Sequence, residues 1–211
     1  MLQVFADVPA PRRCAGCAEF GADVCDACLN ALAAGATIER RDIDGLERVT
    51  ALGPYEGLLR SAILAFKYAG RRVVGTRLAE ALARRMTRIG DVLVPVPLHA
   101  ARQRSRGYNQ ADVVARALAA AVAISPPTAV LRDALRRVRP TERQSALDLS
   151  ARDANVAGAF APGDDAHRLA GRSVLLVDDV VTTGATLRAC AQVLRSLGAA
   201  SVAAACLAAR L

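Results

Sequence analysis

The run Val174-Leu175-Leu176-Val177-Asp178-Asp179-Val180-Val181-Thr182-Thr183-Gly184-Ala185-Thr186 holds the residue types from which a sugar-phosphate site is built. An apolar strand ends in two adjacent carboxylates, and a Thr/Gly loop then opens a helix. Ligands of open α/β sheets bind beyond the carboxyl ends of strands. Backbone N–H groups at a helix start can hold a phosphate dianion, and threonine hydroxyls add donors. Gly184 lets the backbone approach a phosphate with no Cβ in the way. Asp178 and Asp179, just before that cradle, can accept hydrogen bonds from sugar hydroxyls, so a sugar 5-phosphate satisfies both halves. The strand end alone would also fit an exposed acidic turn with Thr182 or Thr183 capping a helix. Two rival phosphate motifs are absent. Lys67 is the only lysine, so no G-x-x-x-x-G-K-[ST] loop exists, and no G-x-G-x-x-G follows a strand.

Four cysteines form a second constellation. Cys14-x-x-Cys17 and Cys25-x-x-Cys28 are two pairs separated by seven residues. Each pair can supply one edge of a tetrahedral thiolate site, and the spacer can fold back as a knuckle. One Zn²⁺ on these four sulfurs would be structural and closed, since so short a segment cannot build its own core. An iron–sulfur cluster or a redox dithiol satisfies the same spacing. Cys190 and Cys206 lie among apolar residues and read as core thiols. His99 and His167 have no partners at ligand spacing.

The elements that must position these residues alternate along the chain. Residues 1–45 form one unit, with the cysteines and a short helix over Leu29–Ala34; residues 46–211 form a second. Val49–Leu52 reads as a strand. Leu59, Ile63 and Phe66 follow helical spacing, and a further helix is predicted near Val74–Arg88. Asp91–Pro97 reads as a buried strand, followed by a basic loop and a helix over Asn109–Val122. An arginine-rich segment spans Arg132–Arg143. Ser173–Val177 reads as a strand covered on both faces. A helix over Ala185–Leu197 stops at Gly198, and a last strand spans Ser201–Leu207. This alternation predicts an α/β fold: a parallel sheet with helices on both faces.

Composition narrows the partners. Of 211 residues 53% are hydrophobic, enough for a core, and 3% are aromatic, which weighs against a dedicated single-strand binder. The net charge of +8 favours anionic partners: phosphorylated metabolites, nucleic acid, or both. No basic start with an apolar run opens the chain, and no apolar stretch reaches about 18 residues. A cytoplasmic protein with no membrane span is expected, its cysteines thiols or metal ligands rather than disulfides.

At this point the chain resembles a known family. Asp178-Asp179 with Thr182–Thr186 is similar to the phosphoribosyl pyrophosphate signature of type I phosphoribosyltransferases. Leu64-Ala65-Phe66-Lys67-Tyr68 with Gly70, Val94–His99 leading to Arg106-Gly107-Tyr108-Asn109-Gln110, and Arg139, Thr141, Gln144, Arg152 and Asn155 narrow the resemblance to the ComF family, associated with bacterial DNA uptake. It implies that Asp178 and Asp179 hold the ribose hydroxyls and act in catalysis, and that Thr182, Thr183, Gly184, Ala185 and Thr186 hold the 5-phosphate. It places a pyrophosphate loop at Leu98–Gly107, with Arg102, Arg104 and Arg106 as cationic donors, although a solvated basic loop fits the charge alone. The stretch Arg139–Gln144 matches a mobile lid, or a basic surface loop. Lys67 belongs to a family motif, or is a surface lysine laid along its helix. Mg²⁺ would accompany phosphoribosyl pyrophosphate. Single-stranded DNA and other DNA-uptake proteins are the implied partners. A metabolic transferase acting on a nitrogenous base or amine is the alternative, and the signature serves a transferase and a sensing module equally.

Overall fold

The computed structural model describes residues 12–87, 89–122, 128–139 and 156–210. Its centre is a six-stranded sheet in the order β1-β2-β8-β7-β3-β4. The strands are β1 (Ile38–Arg40), β2 (Val49–Ala51), β3 (Val92–Pro95), β4 (Ala129–Val130), β7 (Ser173–Val181) and β8 (Ser201–Ala209). All neighbours pair in parallel except β1, which runs antiparallel to β2 at the edge. Residues 38–40 thus add a strand to the large sheet. β5 (Leu135–Arg137) and β6 (Phe160–Pro162) make a separate antiparallel pair.

The apolar run of β7 is explained by what lies on each side of it. Leu175 and Val177, with Leu93, Ala205 and Leu207, face one core. That core is closed by α1 (Asp26–Ala34), α2 (Gly57–Tyr68), α3 (Arg72–Ala83) and α5 (Gln110–Ala121), through side chains such as Leu29, Ile63, Phe66, Leu78 and Leu118. Val174 and Leu176, with Val92, Val94, Ala204 and Cys206, face the other. Leu187, Cys190 and Leu194 of α6 (Ala185–Ser196) pack there. Because side chains alternate along a strand, both faces of the parallel sheet are dry, as the sequence leads one to expect. Cys190 and Cys206 are fully buried.

Several elements depart from the sequence reading. The helix expected to reach Arg88 ends at Ala83. The strand expected to end at Val177 continues to Val181, so Asp178 and Asp179 lie within it. Asp178 is in register with Cys206, and Val181 with Ala209. The stretch read as a basic loop holds a seven-residue helix, α4 (Ala100–Arg106). Alanine, arginine and glutamine are good helix formers, and basic character is no signal against a helix. His99 caps it by accepting from the Ala101 N–H, and Gly107 ends it in the left-handed region at φ +73°.

Helices α2 and α3 approach through a glycine. A Cβ on Gly75 would sit 2.4 Å from Phe66 Cζ, and Phe66 is fully buried. Gly75→Ala is therefore expected to lower stability by about 1–3 kcal/mol, despite alanine's better helix propensity of about 1 kcal/mol. Urea unfolding would show the midpoint falling at constant slope; an unchanged or raised midpoint would mean that the ring moves aside freely.

Candidate functional site

Two distant motifs meet at the carboxyl end of the sheet. The α2 stretch around Phe66 packs on the turn after α4, with the Phe66 and Tyr108 ring centroids 5.7 Å apart. The Tyr108 hydroxyl donates to the Phe66 carbonyl oxygen. Asn109 caps α5 by accepting from the Ala111 N–H at 3.0 Å, and its amide donates to the Val96 carbonyl, also at 3.0 Å. Arg106 donates to the side chain of buried Gln110 at 2.9 Å. These contacts fix the end of α2, and hence Lys67, above β7.

Lys67 Nζ lies 2.6 Å from Asp179 Oδ1, with side chains only 14% and 13% exposed. It is no surface lysine. Burial opposes its charge, but Asp179, with Asp178 behind it, more than compensates and holds its pKa above the ordinary value. Burial and the Asp179 charge push Asp178 up to about 7, against the pull of Lys67 and Arg137. Asp178 Oδ1 accepts from the Asp179 N–H at 2.8 Å. The two carboxylates thus differ: Asp179 is paired, whereas Asp178 titrates near neutrality.

A stability effect follows, and its sign is fixed by the direction of the shift. Asp178 is more acidic in the unfolded chain, where the ordinary value is 3.8, so its contribution worsens as pH rises through that value to about 7. Asp178→Asn removes this penalty and can still accept from the Asp179 N–H. The variant should match the parent near pH 4 and exceed it by about 1–4 kcal/mol above pH 7. Unfolding at pH 4.5 and 8.5 tests this; an equal gain at both would place the effect elsewhere.

The phosphate-type loop follows directly. Gly184, in the left-handed region at φ +85°, caps α6 and offers no side chain to the first-turn N–H groups. A Cβ there would meet Ile43 Cδ1 at 2.4 Å, so a side chain at this position is excluded twice over. Thr183 Oγ1 accepts from the Ala185 N–H at 3.4 Å, and Thr182 and Thr186 are part-buried. Arg40 braces the loop from β1, donating to the Thr182 carbonyl at 2.5 Å while a two-point pair with Asp42 holds its guanidinium. The loop therefore presents N–H groups and hydroxyls on a rigid base, next to a cation.

The arginines divide by position. Arg102 and Arg106, one turn apart on α4, share a face and are part-buried, whereas Arg104 is exposed. Burial and the neighbouring Arg102 charge depress Arg137, which Asp178 draws back up. Arg137 also lies over the Phe160 ring at 5.2 Å. Arg139, exposed, donates to the Ala157 carbonyl at 2.6 Å. Gln144, with Thr141, Arg152 and Asn155, lies outside the described residues. Arg40, Ile43 and Arg137 were missed by the sequence reading, and only the arginine-rich run hinted at the last of them.

The four N-terminal cysteines converge. Their sulfurs all lie within 4.8 Å of one another, with Cys14–Cys28 and Cys17–Cys25 at 3.7 Å. A tetrahedral site with metal–sulfur bonds of about 2.3 Å needs sulfur–sulfur edges of about 3.8 Å, so the donor set fits a metal ion. Burial raises the Cys14 thiol, but N–H groups of Cys25, Cys17 and Gly16 directed at its sulfur bring it down to about 6. The knuckle is tied to the main body by Asp23. Its carboxylate receives Arg12 at 2.5 Å and Arg71 at 2.8 Å. Cys14, Val24, Cys28 and Leu29 join the α2–α3 core.

Residues 73–211 match the phosphoribosyl transferase domain family. Competence protein F of Haemophilus influenzae is 32% identical over 160 residues, covering 72% of this chain and 68% of that protein. The DNA utilization protein YhgH of Escherichia coli is 32% identical over 169 residues, covering 76% of this chain and 71% of its own. A solved structure of glutamine phosphoribosylpyrophosphate amidotransferase from B. subtilis is similar over 68% of this chain and 30% of that one. The identity there is 21% and the TM-score 0.46, too distant a likeness to bear on function. No helix among the described residues is long and apolar enough to cross a membrane.

Proposed function

The chain belongs to the ComF family of phosphoribosyl transferase domain proteins, and on that premise we propose that it binds phosphoribosyl pyrophosphate while serving the handling of incoming single-stranded DNA during uptake in the cytoplasm. The observation that carries this reading is a single one. β7 delivers Asp178 and Asp179 into a glycine-opened helix start, with Lys67 paired to Asp179 and the charge of Arg137 acting on Asp178.

Each group then has a task. The Gly184–Thr186 amides with Thr182 and Thr183 hold the 5-phosphate, where the helix start favours negative charge. Asp178 and Asp179 accept from the ribose hydroxyls. Arg102, Arg106 and Gly107, at the end of α4, face the pyrophosphate. Lys67 leaves Asp179 for a substrate oxygen when the ligand enters. Arg139 and Gln144 contribute further polar contacts to the ligand. Two carboxylates beside a polyphosphate suit a hard divalent cation such as Mg²⁺, which would neutralise pyrophosphate oxygens. Zn²⁺ on Cys14, Cys17, Cys25 and Cys28 is structural, because four protein sulfurs leave no open position. The relatives' names, competence and DNA utilization, support the DNA half of the proposal.

Calorimetric titration of the zinc-loaded protein with phosphoribosyl pyrophosphate and Mg²⁺ tests the ligand. Incubation with nitrogenous bases and amines, scored by pyrophosphate release, then separates transfer from sensing. Deletion of the gene in a transformable host should lower transformation more than growth. A strain that transforms normally but needs a purine, pyrimidine or related metabolite would instead identify a metabolic transferase.

A further inference from the structure

We infer that the face joining the cysteine knuckle to the α2–α3 turn is a binding track for single-stranded nucleic acid, with Phe20 and Tyr68 as stacking platforms. This deepens the DNA half of the proposed function, and the track meets the proposed phosphoribosyl pyrophosphate site at Arg106 and Gly107.

Few aromatics are present, but two of those described are placed where folding does not need them. Phe20 is 57% exposed and Tyr68 67% exposed, whereas Phe66 and Tyr108 are buried. Each exposed ring carries a guanidinium. Arg13 lies 3.9 Å from the Phe20 centroid, and Arg106 lies 5.3 Å from that of Tyr68. A cation on one face, with most of the ring in solvent, leaves a surface for a base.

Arg13, which lies against Phe20, also lines ground that is basic and concave. A cleft of about 500 Å³ is lined by Arg12, Arg13, Arg71, Arg72 and Val73 around Asp23. Asp23 is already engaged by Arg12 and Arg71, so it does not offset the remaining charge. Arg71 also donates to the Arg13 carbonyl at 2.7 Å, and Arg72 to the Gly107 carbonyl at 3.3 Å. Knuckle, α2–α3 turn and the end of α4 therefore form one continuous surface.

Rings that stack and guanidiniums that pair with phosphates are the two complements of a single strand. A duplex hides its base faces, and an acidic peptide matches the arginines but leaves both rings unused. Affinity should fall steeply with salt, because the phosphate contacts release counterions.

Fluorescence anisotropy of a labelled oligothymidine of about 16 nucleotides, titrated with the zinc-loaded full chain without phosphoribosyl pyrophosphate, tests the track. Phe20→Ala with Tyr68→Ala should weaken binding about ten-fold or more with every charge retained. An abasic strand of equal charge should bind parent and variant alike, and more weakly than oligothymidine binds the parent. Phe20→Leu with Tyr68→Leu keeps the apolar bulk and should show the same loss, which covers any misfolding of the alanine pair. Leucine variants that bind like the parent would overturn the inference. So would a parent that holds duplex or abasic strand as tightly as oligothymidine, or that binds phosphatidylglycerol vesicles and not the strand. Because this titration contains no phosphoribosyl pyrophosphate, its failure is distinct from failure of the ligand site.

Discussion

Cys14→Ser or Cys28→Ser is expected to abolish the proposed Zn²⁺ binding and to detach α1 from the α2–α3 face. Both sulfurs are buried within the core that Val24 and Leu29 share with those helices. The four donors are placed at the separation that a tetrahedral ion requires, and without the ion they become a cluster of competing thiols. Burial and the three neighbouring sulfurs already push the Cys28 thiol up. Metal loss belongs to the class of changes costing more than about 4 kcal/mol, because binding energy here is folding energy. Elemental analysis should give one zinc per parent chain and a clear deficit in each serine variant, with a matching fall in thermal midpoint. Cys190→Ala, on the buried face of α6, should keep the full metal content. Iron in the parent, or full zinc in the serine variants, would remove the assignment.

Asp178→Ala combined with Asp179→Ala should weaken phosphoribosyl pyrophosphate binding by about two to four orders of magnitude. Each lost charge-assisted acceptor contributes on the order of 1.5–3 kcal/mol, and adjacent groups will not add perfectly. The fold should survive at lower stability. Removing Asp179 takes the partner of the buried Lys67 ammonium, at a cost of up to about 3–5 kcal/mol, but leaves Asp178 nearby to balance it. Removing Asp178 as well leaves Lys67 with neither carboxylate. The double variant should therefore be no more stable than Asp179→Ala. Calorimetry and thermal unfolding of the three variants check both halves. Undiminished affinity in the double variant would place the ligand elsewhere.

What the sequence displayed was local. The Val174–Val177 run revealed a strand dry on both faces, and the Asp/Thr/Gly order after it revealed a loop opening a helix, because each signal lies within a dozen residues. The same locality misplaced the strand end. A carboxylate normally interrupts a buried strand, but Asp178 continues the ladder opposite Cys206 because Lys67 and Arg137 approach from other elements. Those approaches span about 110 and 40 residues of chain, and no spacing rule records them. Arg40 and Ile43 were silent for the same reason: their role is to touch Thr182 and Gly184, far along the sequence. β5 and β6 escaped notice because each is three residues long and its partner is distant. The cysteines were legible because CxxC spacing is itself the geometry of a metal edge.

Binding of phosphoribosyl pyrophosphate at the β7–α6 junction is the property on which the proposed roles of the surrounding residues depend. Its most direct test is a residue-resolved amide titration of the zinc-loaded protein with that ligand and Mg²⁺. Saturable shifts are expected in the amides of Asp178, Asp179 and Thr182–Thr186, with smaller ones at Arg106 and Gly107, and none at Arg48 or Ser201 at the opposite, amino-terminal end of the parallel strands. Saturable binding that leaves the Thr182–Thr186 amides unmoved, or no saturation at all, would contradict it.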